Sequence, residues 1–263
     1  MKVGAQLYTL NQHCKTLESF SETLKRVADM GYTIVQVSGT CEFEAEWLKE
    51  ELKKNGLTCV LTHTAFDKMV NDIDKVIADH KIFGCKYIGL GGMPSLWTKE
   101  TEKLPEFVED FVVKAKPIAE KIKNAGCYFM YHNHDKEYVY NAENGKIIME
   151  RLSDAFAPDE MGFTLDTFWV KKGGYDPIAE INRLAGRLPC VHFKDMFVEE
   201  NGEQRFTWCG NGILDFSAIG EALEKVGTEY ILIEQDKTFD DEPDPFKCLA
   251  KSKAYLESVG FEF

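Results

Sequence analysis

Polar side chains that can do chemistry follow short apolar runs at regular places along the chain. Four of the six histidines are among them, together with acids, amides and a lysine. In chain order the positions are Gln6, Tyr8, Gln36, Ser38, His63, the glycines of GLGG, His132, His134, Asp166, His192, Lys194, Glu234 and Asp236. Imidazoles and carboxylates from separate segments suit Mn²⁺, Zn²⁺, Co²⁺ or Fe²⁺ and leave a coordination position for substrate oxygens. The residue types therefore indicate a divalent-metal centre. The sequence does not distinguish among these four ions and Mg²⁺ as the bound metal.

Two acids of this set stand where an unpaired charge would be costly. Asp166 follows the apolar run FTL and Glu234 follows ILI, and a buried carboxylate is destabilising unless it is paired or bound to a metal. We interpret both acids, and His192, as functional. Residues two apart on a strand face the same side, so His132 and His134 can act on one ligand. The same argument applies to His192 and Lys194, which are two apart in VHFK.

An amphipathic helix, a glycine and a short apolar strand recur five times along the chain. Each glycine stands where the end of a helix needs a positive φ. These glycines are Gly31, Gly56, Gly84, Gly126 and Gly227. Three further strands, in KVGAQLY, MGFTLDTFWV and PCVHFKD, bring the number to eight.

Eight continuous apolar strands that alternate with helices predict an α/β fold, a single (β/α)₈ TIM barrel. An open doubly wound sheet is disfavoured, because LYTLNQH after the first strand is not a glycine-rich phosphate loop. Catalytic groups of such barrels lie at the C-terminal ends of the strands. The polar positions above are therefore expected to meet in one barrel mouth.

No linker or shift in composition divides the chain, so residues 1–263 are expected to form one domain. The segment of about 196–213 is too long for a tight turn between a strand and a helix. We predict that it is an active-site loop that carries a small hairpin, because EENGE is a good turn sequence.

The amino-acid composition disfavours several classes of binding partner. The net charge of −13, from 44 acidic and 31 basic side chains, disfavours binding to nucleic acid and to anionic lipid. The sequence shows neither an export signal nor a membrane-length apolar run, so we expect a cytoplasmic protein with no membrane partner. The eight cysteines are spread singly and are expected to be reduced, with those beside the apolar strands buried.

Several motifs in combination resemble a known family. They are GAQLYTL, YHNHDKEY, LDTFWVKKGGYDP, GRLPCVHFKDM, GNGILDF and IEQD, and they span nearly the whole chain. Together they resemble the xylose isomerase-like TIM barrels, in particular the sugar phosphate isomerase/epimerase branch, which is AP endonuclease family 2-like. The resemblance implies a carbohydrate substrate, a divalent metal and a homo-oligomer.

The resemblance also implies a ligand set of a Glu on the fifth strand, an Asp on the sixth, a His on the seventh and a Glu on the eighth. Asp166, His192 and Glu234 match the last three. Where many relatives read Leu-Glu-Asn-His, this chain reads YHNH, so His132 replaces the first acid. We expect His132 as the fourth ligand, with Glu137 as the alternative if the strand bends outward after this motif.

The family resemblance implies proton transfer on a sugar. The metal would polarise a carbonyl or hydroxyl so that the adjacent C–H becomes acidic. Glu234, His134 or Glu137 would act as general base or acid, and Lys194 would stabilise an enolate oxygen or bind a phosphate or carboxylate of the substrate. In epimerising relatives two metal-bound glutamates exchange protons with the substrate. This chain matches only one of them, at Glu234.

Substrate contacts are predicted around the same mouth. They are Gln6, Tyr8, His63, Trp169, Lys194 and Asp236. The rings of Trp169, Phe66, Tyr8 and Trp208 suit the C–H face of a sugar, with core packing as the alternative for each. His63 could instead be satisfied by backbone, and Lys194 could form a structural ion pair with Asp195 or Asp166.

Four functions compete at this point. An isomerase or epimerase of a sugar, keto-sugar or sugar phosphate is favoured, and a lyase or dehydratase that acts on a keto-sugar or 3-keto-glycoside shares its first step. An endonuclease IV-like phosphodiesterase is disfavoured by the −13 charge and by a ligand set for a single metal. A non-catalytic sugar-binding protein is the fourth candidate.

Overall fold

Eight parallel strands close into a barrel in the computed structural model, which describes residues 1–100, 103–139 and 145–263. The barrel strands are β1 (Lys2–Gln6), β2 (Ile34–Val37), β3 (Thr58–His63), β4 (Tyr87–Leu90), β5 (Tyr128–His132), β6 (Met161–Asp166), β7 (Cys190–Phe193) and β10 (Tyr230–Ile233). Each strand pairs in parallel with its neighbour in sequence, and β10 closes the circle between β7 and β1. The predicted (β/α)₈ barrel is confirmed.

Helices follow the strands around the outside. They are α1 (Leu17–Asp29), α2 (Ala45–Asn55), α3 (Phe66–Ile82), α4 (Leu104–Asn124), α5 (Lys136–Val139), α6 (Ile148–Ala155), α7 (Thr167–Lys172), α8 (Pro177–Arg183), α9 (Phe216–Val226) and α10 (Pro245–Ser258). A 3-10 helix, Leu7–His13, follows β1 directly. The five glycines predicted at helix ends all have positive φ, between 65° and 86°, which confirms the conformation expected from the repeat.

The barrel strands are buried along nearly their whole length. All six residues of β6 and all four of β7 are buried, as expected for strands covered by helices outside and by side chains inside. A separate apolar cluster contains Ile34, Val60, Leu61, Tyr87, Met130, Cys190 and Leu232. Met130 precedes His132 by two residues, and Leu232 precedes Glu234 by two, so each pair shares one face of its strand. The inward-facing polar groups therefore sit at the mouth above an apolar filling.

An antiparallel hairpin occupies the loop after β7. It consists of β8 (Asp195–Val198) and β9 (Gln204–Thr207), and the turn between them is the EENGE segment from which a hairpin was predicted. The Asp195 carboxylate anchors the following GNG segment, because it accepts hydrogen bonds from the backbone N–H groups of Gly210, Gly212 and Leu214. The hairpin is thereby held against the barrel mouth.

All eight cysteines are unpaired, and six are buried. Among residues 1–100, 103–139 and 145–263, no helix combines the length and the apolar character needed to cross a membrane.

Candidate metal centre and substrate pocket

The four predicted metal ligands lie together at the mouth of the barrel. His132 and Asp166 end the neighbouring strands β5 and β6, His192 lies on β7, and Glu234 follows β10. One nitrogen or oxygen atom from each lies within 4.8 Å of the others, and all four residues are buried. The structure thus brings together side chains from four adjacent strands.

Each member of this cluster directs one nitrogen or oxygen atom at the same space. His132 Nδ1 lies 3.4 Å from the carbonyl oxygen of Gly91, and His192 Nε2 lies 2.7 Å from the side-chain oxygen of Gln36. Because both partners can only accept, these nitrogens carry hydrogens, and in the neutral rings the opposite nitrogens carry the lone pairs. Asp166 Oδ1 accepts from the Trp169 backbone N–H, which leaves Oδ2 for the cluster.

The buried nitrogen and oxygen atoms of this cluster are suited to bind a divalent cation. His192 Nδ1 lies 2.9 Å from Glu234 Oε2 but has no properly aligned hydrogen bond to any residue of the described chain, and Glu234 Oε2 also contacts the Lys194 ammonium. His132 Nε2 lies 3.3 Å from Asp166 Oδ2. Buried polar atoms without partners are rare and destabilising, and two imidazole nitrogens with two carboxylate oxygens suit Mn²⁺, Co²⁺, Zn²⁺ or Fe²⁺.

Lys194 contacts three carboxylates at this site. Its Nζ lies 3.0 Å from Asp166 Oδ2, 2.9 Å from Glu234 Oε2 and 2.7 Å from Asp236 Oδ1, and the side chain is 1% exposed. Burial lowers the pKa of Lys194, but the three carboxylates outweigh burial and hold it well above its usual value. Of the two structural ion pairs predicted as alternatives, the structure contains the one with Asp166, while Asp195 is bound to backbone N–H groups.

The acids of the cluster are held ionised. Burial raises the pKa values of Asp166 and Glu234, yet the Lys194 ammonium and the neighbouring histidines bring both below their usual range. Burial lowers the pKa of His192, and the Glu234 and Asp166 carboxylates more than offset this, so the net pKa is raised. Charged carboxylates next to imidazoles are the form in which metal ligands are needed.

Two further histidines border the cluster as neutral imidazoles. Burial and the neighbouring His132 lower the pKa values of His63 and His134 well below the usual range. The His134 ring lies 4.8 Å from the His132 ring, and the His63 ring lies 5.6 Å from that of His192. The glycines of GLGG leave room for them, since a Cβ at Gly91 would lie 3.2 Å from His63 Nδ1.

Unpaired polar atoms surround the cluster. Within the described residues, five buried nitrogens from different elements of the mouth have no hydrogen-bond partner. They are Gln6 Nε2, Gln36 Nε2, His63 Nε2, His134 Nδ1 and Trp169 Nε1. A ligand rich in hydroxyl groups would satisfy such atoms, whereas an apolar ligand would leave them unpaired.

Two of the predicted aromatic residues lie at the mouth. The Trp169 ring lies 5.2 Å from the His134 ring and 5.2 Å from Lys194 Nζ. Tyr8 lies in the 3-10 helix directly after β1 and is 40% exposed; burial raises its pKa, and so do Asp236 and Glu234.

The other two predicted aromatic residues pack elsewhere. Phe66 contacts Phe111 in the helical layer, with ring centroids 5.1 Å apart, and the Trp208 ring is covered by Lys251 at 4.1 Å. For Phe66 the structure supports the core-packing alternative.

Sequence reasoning missed two aromatic residues at the mouth. Trp97, in the loop after β4, lies with its ring 4.8 Å from the His134 ring and is 58% exposed. Phe206 on β9 packs against Trp169 at 5.4 Å and lies 5.3 Å from Lys194 Nζ. Neither follows a barrel strand directly, so the strand-end pattern gave no signal for them.

Glu137 lies in a different hydrogen-bond network. Its Oε1 accepts from Tyr131 Oη at 2.8 Å, and its Oε2 accepts from the His134 backbone N–H at 3.0 Å. Tyr131 Oη in turn accepts from the Met93 backbone N–H. Both Glu137 oxygens are engaged outside the cluster, so the geometry favours His132 over Glu137 as the fourth ligand. Glu137 joins the loops after β4 and β5 and positions His134.

Glu137 gives a pH-dependent contribution to stability that a Glu137→Gln variant is expected to remove. Burial raises the pKa of Glu137 from 4.5 to about 8, so the folded state holds a proton that the unfolded state has lost. This contribution is complete below about pH 4.5 and is lost as pH rises through about 8. Glutamine cannot acquire the buried negative charge, although its Nε2 replaces one of the two accepting oxygens, so the stability of the variant relative to the wild type should rise by roughly 2 kcal/mol or more between pH 5 and pH 9.

Urea unfolding at pH 5, 7 and 9 measures this difference. The stability difference between variant and wild type should grow with pH. A constant difference across that range would mean that Glu137 is not protonated in the folded protein near neutrality.

The fold and the site together define a class: a parallel (β/α)₈ barrel with a candidate His₂-Asp-Glu centre at the C-terminal ends of its strands. Residues 24–257 match the family model described as xylose isomerase-like TIM barrel. The chain therefore belongs to the xylose isomerase-like TIM barrel family, and the resemblance read from the motifs is confirmed.

Individual relatives are distant. An inosose dehydratase from Lacticaseibacillus casei is 24% identical over 173 residues, a match that covers 59% of this chain and 57% of that protein. An inosose dehydratase from Geobacillus thermodenitrificans is 22% identical over 274 residues, covering 92% and 90% of the two chains. The crystal structure of a sugar phosphate isomerase/epimerase from Parabacteroides distasonis has a TM-score of 0.80 at 21% identity and covers 100% of this chain and 95% of that chain.

Proposed function

We propose that this protein is a divalent-metal-dependent enzyme that moves a proton on the carbon next to a carbonyl of a sugar, keto-sugar or sugar phosphate, and that it acts as an isomerase or epimerase. The observation that carries the proposal is the convergence of His132, Asp166, His192 and Glu234 at one point of the barrel mouth. The surrounding unpaired nitrogens suit a polyhydroxylated substrate.

The side chains of the site divide the chemistry among them. His132, Asp166, His192 and Glu234 would hold the cation, which when bound would polarise a substrate carbonyl or hydroxyl. Glu234 is ionised and buried, so its carboxylate can accept the proton from the adjacent carbon.

The neighbouring groups complete the proton transfer. His134 is a neutral imidazole beside the cluster that can accept or return a proton. The Lys194 ammonium supplies positive charge for an oxygen that becomes negative during the reaction. Trp169 offers a ring face to the C–H side of a sugar.

A dehydratase is the second candidate, and the curated relatives favour it. Several of them, from L. casei and G. thermodenitrificans among others, are named inosose dehydratase. Elimination begins with the same proton abstraction and then expels a hydroxyl group from the neighbouring carbon. The single glutamate at the site suits this outcome as well, because elimination does not need two glutamates that exchange protons on opposite faces.

The remaining candidates receive less support. The described residues contain one group of candidate metal ligands, and the net charge is −13, which disfavours an endonuclease IV-like phosphodiesterase. We further propose that the partner is a small carbohydrate rather than nucleic acid or membrane, with a homo-oligomer and a cytoplasmic location as predictions from sequence.

Deuterium exchange tests the proposed function. The protein is reconstituted with Mn²⁺ or Co²⁺ and incubated in D₂O with a panel of keto-sugars, their phosphates and inosose, and the products are followed by NMR. Isomerisation or epimerisation gives deuterium on the carbon next to the carbonyl without loss of water, whereas dehydration gives an unsaturated product. Tight binding of a panel member without any exchange would instead identify a sugar-binding protein and would contradict the proposal.

A further inference from the structure

The Lys194 ammonium lies on the same carboxylate oxygens that the candidate metal centre uses. Its Nζ contacts Asp166 Oδ2 at 3.0 Å and Glu234 Oε2 at 2.9 Å. Those two oxygens are also the atoms that approach His132 Nε2 and His192 Nδ1. A divalent cation and this ammonium would therefore share two oxygen atoms in a buried space.

Two positive charges in that space repel each other strongly, because the site is screened little by solvent. The side chains of Asp166 and Lys194 are 0% and 1% exposed. Relief of the repulsion requires that the ammonium leave at least one of the shared oxygens when a cation binds.

The ammonium also has partners outside the candidate ligand set. Asp236 Oδ1 lies 2.7 Å from Nζ, and the Asp236 side chain is 25% exposed, so it lies nearer to solvent than the cluster. The faces of Trp169 and Phe206 lie 5.2 Å and 5.3 Å from Nζ, and such rings stabilise an ammonium group. This carboxylate and these two rings can hold the ammonium after it leaves Asp166 and Glu234.

We propose that Lys194 is an internal cation that neutralises Asp166 and Glu234 in the metal-free protein, and that it leaves these two carboxylates and keeps Asp236, Trp169 and Phe206 as its partners when a divalent cation binds. The inference rests on the metal dependence proposed above. Its consequences are that Lys194 weakens metal affinity and that Asp236 restores part of it by holding the ammonium. Metal binding would then also set the position of the ammonium next to the substrate pocket.

A double-mutant cycle on metal affinity tests the exchange. Co²⁺ is titrated into the metal-free wild type and into Lys194→Met, Asp236→Asn and the double variant, with calorimetry and the visible absorption of bound Co²⁺ as readouts. Lys194→Met should bind Co²⁺ about 10-fold more tightly or better, because the competing charge is gone. Asp236→Asn should weaken binding in the wild-type background and have a clearly smaller effect when Lys194 is already replaced.

Two further variants make the result interpretable. Lys194→Gln removes the charge but keeps a donor for the carboxylates, so it serves if Lys194→Met fails to fold. Lys172→Met is the control, because the Lys172 ammonium lies 5.1 Å from the Trp169 ring on an exposed side chain, and its removal should change the Co²⁺ affinity by less than about 2-fold.

The outcomes separate this inference from the proposed function. If the wild type binds Co²⁺ as tightly as both Lys194 variants, or more tightly, Lys194 is not an internal cation. Metal dependence would remain intact in that case. An equal effect of Asp236→Asn in both backgrounds would show that Asp236 attracts the cation directly and does not act by holding the ammonium. Absence of Co²⁺ binding in every variant would overturn the inference and the proposed metal dependence together.

Discussion

Replacement of Glu234 by glutamine is expected to lower kcat/KM by about 10³-fold or more, with the protein still folded. The change removes the ionised oxygen that we assign as general base and as a candidate metal ligand, while it keeps the size of the side chain. The Lys194 ammonium also loses one of its three carboxylate partners. The measurement is steady-state kinetics on the substrate found in the exchange experiment, with thermal unfolding to check that the variant is folded.

Glu229→Gln is the matched control for this variant. Glu229 lies immediately before β10, at the opposite end of the strand from Glu234, and its Oε1 accepts a hydrogen bond from Tyr87 Oη. Because this position is remote from the mouth, the control should keep activity within about 2-fold of the wild type. Comparable activity in Glu234→Gln and the wild type would remove Glu234 from the reaction.

Asp166→Asn is expected to weaken divalent-metal affinity by about 100-fold and to reduce activity at limiting metal. Asp166 Oδ1 caps α7 by accepting from the Trp169 backbone N–H at 3.1 Å, and an asparagine oxygen can keep that hydrogen bond. The substitution therefore removes the charge at Oδ2 while it keeps the cap, so the loss of affinity reports on the metal centre rather than on the helix. Bound metal is measured after dialysis against defined free-metal concentrations.

Asp176→Asn makes the same chemical change at another helix cap. Asp176 Oδ1 accepts from the Ile178 backbone N–H at the start of α8, outside the cluster. This variant should bind metal as the wild type does. If Asp166→Asn retains full affinity, the carboxylate at the end of β6 is not a ligand.

The barrel and the position of its mouth were predictable from sequence for a physical reason. The helix, glycine and strand unit repeats, and the glycines adopt the positive φ that the end of a helix requires. Once eight parallel strands are assigned, the pleat places residues two apart on one face. His132, Asp166, His192 and Glu234 then meet because they end neighbouring strands.

Other features of the site depend on geometry that sequence spacing does not contain. The geometry favours His132 over Glu137 because of where Tyr131 Oη and the His134 backbone N–H lie, which a motif cannot show. Trp97 and Phe206 reach the mouth from a loop and from a hairpin, so their positions depend on how those segments fold back.

The contacts of Lys194 were only partly foreseen. An ion pair with Asp166 was among the alternatives, but the simultaneous contact with Glu234 and Asp236 follows from how β6, β7 and β10 are staggered around the barrel. Asp195, next to it in sequence, instead binds backbone N–H groups of the segment that follows the hairpin.

One divalent cation is proposed to bind at the four converging side chains, and anomalous diffraction from crystals grown with Mn²⁺ or Co²⁺ can locate it. We expect a single strong anomalous peak per chain, roughly 2.1 Å from His132 Nε2, Asp166 Oδ2, His192 Nδ1 and Glu234 Oε2. A fully occupied peak elsewhere, or no peak in crystals where those four side chains keep their positions at saturating metal, would contradict it.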